Sequence, residues 1–162
     1  MKGRMDPVHG YLIDKGILKK ESYDHALQEA EKSSAEINSY LIDKEFIRRE
    51  DLLNAMAAVL KMRRVEVQAD QLDPRLKTIF PLKLLTKQNV VPVAINDRTV
   101  DVAISEPMQL MAIDDLRLAT DLDVQPVLAK PDEIEKVLIA FGADVGAVRK
   151  ALAELQGISY GE

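Results

Sequence analysis

Two stretches of the chain, YLIDKGILKKESYDHALQEA at residues 11–30 and YLIDKEFIRREDLLNAMAAV at residues 40–59, share their first five letters and their apolar pattern. The second copy follows the first by 29 positions. Each copy predicts the end of a short helix, an apolar pair, a charged turn and an amphipathic helix, because its apolar residues recur at intervals of three and four. Two such copies are too few for a solenoid, so the repeat predicts a compact bundle of four helices.

The ends of the repeated helices carry recognisable signals. Gly16 stands where a helix can stop with a left-handed residue, and Glu45, a poorer terminator, takes that place in the second copy. Ser34 is predicted to cap the helix that leads into the second copy. Two interpretations of the repeat remain open: it builds only a core, or its two equivalent helix ends form a two-part ligand site.

The apolar period changes to two in the second half of the chain. Residues 65–67 form a short alternating stretch that predicts β-structure. The runs at residues 90–95 and 99–104 flank a polar Asn-Asp-Arg loop and predict a hairpin. Pro92 removes a ladder donor, which indicates an edge strand or a bulge. The alternation places Val91, Val93 and Ile95 on one face of the first strand.

The remaining segments alternate between helix and strand. A short helix is predicted at residues 82–88, and another runs to about Thr120, with Ser105 as its cap and Pro107 in its first turn. A third strand is predicted at 124–129, then a helix that starts at Pro131 and ends at Gly142, and a terminal helix at 144–156.

These elements predict an α+β fold. An N-terminal helical bundle made of the tandem repeat is followed by a small β-β-α-β-α subdomain with a three-stranded sheet. The predicted boundaries are 1–64 for the repeat, 65–142 for the α/β subdomain and 143–162 for the C-terminal helix and tail. Residues 144–156 are expected to dock on the fold or to bind a partner.

The composition excludes several classes of function. Cysteine is absent, so the chain has no disulfide or thiolate metal site. A net charge of −5 argues against nucleic-acid binding, which requires clustered lysine and arginine. The sequence has no signal peptide and no apolar run of membrane-spanning length, so we expect a cytoplasmic protein.

No catalytic motif is present in the sequence. The chain has no P-loop, nucleophile elbow, H-E-x-x-H or G-x-G-x-x-G pattern. His9 and His25 stand alone, and a lone helical histidine is more often a packing or surface residue than a ligand. Asp114 and Asp115 are adjacent and would point about 100° apart on a helix, which indicates a solvated face. We therefore expect no catalytic residue, no metal, no cofactor and no enzymatic activity.

The run from Phe80 to Leu138 resembles the MshEN, or type II secretion E-protein N-terminal, domain of bacterial secretion and type IV pilus ATPases. The matching motifs are Phe80-Pro81, Val91-Pro92-Val93, Val102-Ala103, Glu106-Pro107, Asp114-Asp115-Leu116, Pro126-Val127-Leu128-Ala129 and Ile134. The resemblance extends over nearly the whole chain up to about Phe141. One departure is Asp121, where the family usually has glycine.

In some members of that family the tandem repeat binds cyclic di-GMP through two copies of a motif. The aliphatic frame of the motif is present here, so the resemblance implies as candidate ligand positions Leu12, Ile13, Gly16, Leu41 and Ile42. The Arg, first Gly and closing Gln positions of the motif hold, in the two copies, Pro7 and Glu36, His9 and Asn38, and Ala30 and Val59. An arginine would bind a phosphate or a guanine edge, whereas a carboxylate would repel the phosphate.

The resemblance therefore implies a non-catalytic docking or regulatory module that binds a protein partner. The expected partner is an inner-membrane platform protein or another secretion or motility component, which would recruit the chain to the inner membrane. The alternative is a cyclic di-GMP sensor that uses the two repeat turns, and the substituted polar positions disfavour it. Docking predicts an exposed apolar patch, on the helical half or at an edge strand.

Overall fold

The computed structural model describes residues 5–157 and confirms the predicted α+β fold. The chain divides into two compact units. The first contains residues 5–62 and 153–157, and the second contains residues 63–152.

The first unit is built from the tandem repeat. Its helices are α1 (Pro7–Asp14), α2 (Lys20–Lys32), α3 (Ile37–Asp43) and α4 (Arg49–Leu60). Helix α1 packs against α4, and α2 packs against α3. Their shared core is aliphatic, as the low aromatic content requires, and its fully buried side chains include Leu12, Leu41, Leu52, Leu53 and Met56.

The predicted cap of α3 was wrong. Ser34 has a left-handed backbone with φ of +58°, and it precedes the helix by three positions. The N-cap residue is Glu36, whose backbone is extended and whose carboxylate accepts hydrogen bonds from the N–H groups of Asn38 and Ser39. In the first copy, the carboxylate of Asp6 caps α1 by accepting a hydrogen bond from the N–H of Val8 at 2.8 Å.

The second unit contains a mixed three-stranded sheet and helices. The strands are β1 (Val91–Asn96), β2 (Thr99–Ile104) and β3 (Asp123–Leu128), in the order β1-β2-β3. Strand β1 is antiparallel to β2, and β3 is parallel to β2. The helices are α5 (Leu82–Gln88), α6 (Leu110–Leu118) and α7 (Pro131–Ala140). Short 3-10 turns span Ala69–Gln71, Pro74–Thr78 and Pro107–Gln109.

Strand β1 has both features that Pro92 predicted: it lies at the edge of the sheet, and its register shifts between Pro92 and Ala94. The bulge overturns the predicted common face of Val91, Val93 and Ile95. Val91 pairs with Ala103 and Ile95 pairs with Val100. Because these β2 partners are three positions apart, Val91 and Ile95 lie on opposite faces of the sheet.

Two further local predictions were wrong. Residues 65–67 form no strand; an isolated parallel bridge joins Arg64 to Leu128 instead. Ser105 does not cap the following helix, because its hydroxyl is buried without a hydrogen-bond partner. The side-chain oxygen of Gln109 accepts from the backbone N–H groups of Ser105 at 2.8 Å and Glu106 at 3.0 Å.

The terminal helix α8 spans Val145–Leu155, close to its predicted bounds. Its N-terminal part docks on the second unit: Val148 is fully buried, and its carbonyl accepts a hydrogen bond from the side-chain amide of Asn89 at 3.3 Å. Arg149 pairs with Glu135 of α7 at 3.5 Å.

Candidate functional site

The two copies of the repeat end their first helices with the same backbone hydrogen bonds. The carbonyl oxygen of Leu12 accepts from the N–H groups of residues 17 and 18 at 3.0 and 3.2 Å. The carbonyl oxygen of Leu41 accepts from those of residues 46 and 47 at 2.8 and 3.3 Å. These two equivalent ends are the turns at which the sequence suggested a two-part ligand site.

A left-handed residue closes each of the two turns. Gly16 has φ of +75°, and Glu45 has φ of +64°. The left-handed conformation costs an ordinary L-residue about 1–2 kcal/mol, whereas glycine adopts it readily. The second copy therefore keeps the geometry of the first at a cost in backbone strain.

The five predicted ligand positions differ in accessibility. The side chains of Leu12 and Leu41 are 0% exposed and belong to the core. Ile13 and Ile42 are half-buried, and Gly16 is exposed. A ligand at these turns would therefore contact Ile13, Ile42 and Gly16. The two leucines would not contact it, because they are packed in the core.

The tyrosine and lysine of each YLIDK segment pack on each other. The ammonium nitrogen of Lys15 lies 5.5 Å from the ring centroid of Tyr11, and that of Lys44 lies 5.9 Å from the ring centroid of Tyr40. These are cation–π distances, and each joins a helical tyrosine to the C-cap lysine four residues later. The exact repeat thus preserves a buried leucine and a surface tyrosine–lysine pair.

Glu36, at the arginine position of the ligand motif, is engaged with the backbone of its own helix. Its carboxylate accepts hydrogen bonds from the N–H of Asn38 at 3.0 Å and of Ser39 at 2.9 Å. The hydroxyl of Ser39 adds a third at 3.1 Å. The carboxylate is therefore an N-cap, and it adds a negative charge where the motif supplies a positive one.

His9 and Asn38, at the first glycine position of the two motif copies, are hydrogen-bonded to each other. Nε2 of His9 lies 2.7 Å from Oδ1 of Asn38, and Nδ1 of His9 lies 2.9 Å from the hydroxyl of Tyr23. The three side chains are only 3–5% exposed. The site that two glycines would leave open is filled by a buried polar network that joins the two copies.

The chemistry of the three side chains gives one consistent set of hydrogen-bond directions for a neutral imidazole. The carbonyl oxygen of the Asn38 amide can only accept, so Nε2 of His9 carries the hydrogen. In the neutral imidazole Nδ1 then accepts, and the hydroxyl of Tyr23 donates to it. Burial raises the pKa of Tyr23 above its usual value, and the nearby carboxylates of Asp6 and Asp24 raise this pKa further. Tyr23 therefore stays protonated and able to donate.

The sequence predicted that His9 is a packing or surface residue, but the network was not predicted from it. A usable signal was present, since His9 and Asn38 are separated by 29 positions, which is the period of the repeat. The hydrogen bond therefore joins equivalent positions of the two copies. The closing glutamine positions have also become apolar: Ala30 is buried, and Val59 is half-buried.

A groove of about 560 Å³ lies beside the second copy within the first unit. Its lining includes Tyr40 and Lys44 with two carboxylates, those of Glu29 and Asp43. The carboxylates outnumber the single ammonium group, so this groove does not favour a phosphate ligand.

Two features are absent from residues 5–157. No group of three or more potential metal ligands occurs in that range. No helix in it is long and apolar enough to cross a membrane.

The sequence model of one protein family, described as the MshEN domain, matches residues 60–147, which is just over half of the chain. The matched segment begins at the last residue of α4 and so leaves out almost all of the tandem repeat. The repeat is the region in which the polar motif positions differ.

Two curated relatives are type IV pilus assembly ATPases named PilB. The protein from Acinetobacter baylyi is 28% identical over 129 residues, which cover 78% of this chain and 22% of the relative. The protein from Myxococcus xanthus is 21% identical over 146 residues, which cover 90% of this chain and 25% of the relative. The chain thus spans only about a quarter of the length of the curated relatives it matches.

Two solved structures have the same fold. A structure of MshE with cdg (cyclic di-GMP) superimposes with a TM-score of 0.73 at 18% identity, covering 86% of this chain and 99% of that one. A structure of the N-terminal domain of XpsE gives 0.66 at 25% identity, covering 86% and 98%.

Proposed function

The chain belongs to the MshEN domain family, and on that premise we propose that it is a non-catalytic docking module for a protein partner. The partner would be a component of a type II secretion or type IV pilus machinery, such as the cytoplasmic part of an inner-membrane platform protein. The similarity to the PilB ATPases and to the N-terminal domain of XpsE supports this class of partner. The chain would act in the cytoplasm and reach the inner membrane through the partner.

The internal use of the ligand-motif positions carries this proposal. His9 and Asn38 bond each other, and Glu36 caps α3. A cyclic dinucleotide at the repeat would have to displace a buried, satisfied network and approach a carboxylate with its phosphates. Both steps oppose binding, because buried hydrogen-bonded groups are costly to expose and like charges repel. A docking role requires neither step.

A binding assay with the platform protein of the same organism tests the proposal. The purified chain is titrated into the cytoplasmic domain of that protein, and complex formation is measured by calorimetry and by size-exclusion chromatography. We expect saturable binding at micromolar concentration. An absence of binding to this domain, together with an absence of co-purification with any other component of the machinery, would contradict a docking function.

Cyclic di-GMP sensing is the second candidate, and the preserved aliphatic frame of the repeat favours it. Leu12, Ile13, Gly16, Leu41 and Ile42 keep the motif types, and MshE has been solved with cdg. Thermal unfolding with and without cyclic di-GMP, with GTP as the control nucleotide, tests this candidate. A sensor would be stabilised by cyclic di-GMP alone, and Ile13→Asp with Ile42→Asp would remove the shift, because both side chains reach the surface at the turns.

A further inference from the structure

Helix α6 of the second unit, with the turn before it, exposes large apolar side chains on one face. Met111 is 75% exposed and Leu118 is 89% exposed, and the two are seven residues apart, so they lie on the same side of the helix. Met108 stands one turn before Met111 and is 39% exposed. The remaining exposed large apolar side chains among residues 5–157 are no more than 40% exposed.

The opposite face of α6 is buried, which fixes the direction of the exposed one. Ala112, Ile113 and Leu116 pack into the second unit and are at most 3% exposed. Rotation of α6 to cover Met111 and Leu118 would expose these three side chains instead. The exposed apolar face of α6 therefore lies opposite the side on which the helix packs.

The polar residues on this face of α6 are acidic: Asp114 and Asp115 are both exposed. Asp121 and Asp123, which follow the helix, are also exposed, and Arg98 donates to the backbone carbonyl of Asp121 at 3.1 Å. Arg117 is the only cationic residue from 107 to 123, and its guanidinium is already committed. It donates to the carbonyl of Val124 at 3.0 and 3.2 Å and to the carboxylate of Asp114 at 3.0 Å.

We infer that Met108, Met111, Leu118, Asp114 and Asp115, the α6 face, bind an amphipathic helix whose apolar side is flanked by lysine and arginine. Methionine and leucine side chains on a helix adapt to the apolar side of a partner helix. The aspartates supply charge complementarity to its basic rim. This inference rests on the proposed docking function and gives it a surface, which differs from the helical half and the edge strand expected from the sequence.

The same charges disfavour two other occupants. An anionic membrane surface would repel Asp114 and Asp115 on the face. A second copy of the chain would bring one acidic rim against another, which costs free energy at an interface. A basic helix is the occupant that gains from both the apolar and the acidic part of the surface.

Binding of designed peptides to the full chain tests the inference. The probe is a fluorescein-labelled helical peptide of about 20 residues, with leucine on one face and lysine on the other. Two control peptides are used: one has the same composition in scrambled order, and the other has glutamate in place of lysine. Fluorescence anisotropy measures the affinity at physiological salt. We expect the leucine–lysine peptide to bind at least about tenfold more tightly than either control, a difference of about 1.4 kcal/mol.

Surface variants locate the site. Met111→Ser with Leu118→Ser should weaken binding of the leucine–lysine peptide about tenfold or more, because the apolar contact is lost. Asp114→Asn with Asp115→Asn should weaken it less and reduce its salt dependence. Leu27→Ser with Val145→Ser, two exposed apolar residues elsewhere, is the matched control and should leave binding unchanged. Circular dichroism verifies that each variant is folded.

Equal affinity of the wild type and the Met111→Ser, Leu118→Ser variant would overturn the inference. So would sedimentation of the wild type as a dimer that this variant dissolves, because a second copy would then cover the face. The platform-protein assay separates the two proposals. If the wild type and the variant bind that protein with the same measurable affinity, the α6 face is wrong and docking stands. If neither binds it and the wild type co-purifies with no other component of the machinery, docking itself fails.

Discussion

The two copies of the repeat reach one backbone geometry with different residues. The first copy closes its turn with Gly16 and caps its helix with Asp6, whereas the second uses Glu45 and Glu36 for the same tasks. Leu12 and Leu41 have equivalent backbone bonds and equal burial. The repeat therefore conserves packing and turn geometry, while its polar positions are free to serve caps and an internal network.

The largest expected effect tests whether the two copies contribute equally to the shared core. Leu12→Ala and Leu41→Ala should each lower the free energy of unfolding by about 2–5 kcal/mol, since both leave a cavity in a fully buried site. Urea denaturation measures both variants. Losses that differ by more than about 2 kcal/mol would show that the copies do not share the core equally.

The network between the copies should give the next largest effect. A double-mutant cycle of His9→Ala and Asn38→Ala should show a coupling free energy of about 1–3 kcal/mol, because either single change leaves a buried polar partner unsatisfied. His25→Ala is the matched control, since His25 is exposed on α2, and it should change stability by less than about 0.5 kcal/mol. Additive single effects would rule out the contact.

The two caps should be of similar strength. Asp6→Ala and Glu36→Ala should each cost about 1 kcal/mol of stability, because each removes an acceptor for N–H groups in the first turn of a helix. Glu36→Gln separates geometry from charge, since its amide oxygen can still accept a hydrogen bond. If Glu36→Ala is as stable as the wild type, the carboxylate is free to face a ligand.

Substitutions at the two left-handed turn residues should change stability by a smaller amount, and in opposite directions in the two copies. Glu45→Gly should stabilise the protein by about 0.5–1 kcal/mol, because glycine adopts the left-handed backbone conformation of this position without the strain that a side chain causes. Gly16→Ala should destabilise it by about 1 kcal/mol for the same reason. Thermal unfolding measures both changes. Destabilisation by Glu45→Gly would reveal a contact of the Glu45 side chain that offsets the strain.

Tyr23 makes the stability of the protein depend on pH, but only in the alkaline range and not at neutral pH. Its pKa is raised in the folded state, so above about pH 10 the unfolded chain loses a proton that the folded chain keeps. Stability from this group is complete below that pH and is lost as the pH rises through the folded pKa. Tyr23→Phe should flatten the fall in stability between about pH 9 and 11. An unchanged slope would show that burial and the nearby carboxylates do not raise the pKa of Tyr23 in the folded protein.

The parts of the fold that could be predicted depend on local patterns. Apolar spacing and an exact repeat indicate the four helices of the first unit, and Pro92 indicates the edge and the bulge of β1. The consequence of the bulge for side-chain direction depends on its position, which propensity does not specify. The cap at Glu36 was missed because a left-handed Ser34 delays the start of the helix.

The candidate site was less predictable, because the roles of its residues depend on contacts between residues that are far apart in the sequence. The motif comparison identified His9, Glu36 and Asn38 as changed positions, but only the structure shows that they bond one another or a helix end. The exposed face of α6 was also not predicted. Its residues have ordinary helical spacing, and their exposure follows from the packing of the opposite face of α6, which contacts β3.

Calorimetric titration of the full wild-type chain with cyclic di-GMP tests the central claim that the ligand positions of the repeat now serve internal contacts. No saturable heat is expected up to about 500 μM ligand. A sensor with a micromolar dissociation constant would be saturated well below that concentration. Saturable heat at micromolar concentration would contradict the claim, make the repeat a sensor, and direct attention to Lys15, Lys44 and Arg48 as substitute ligand residues.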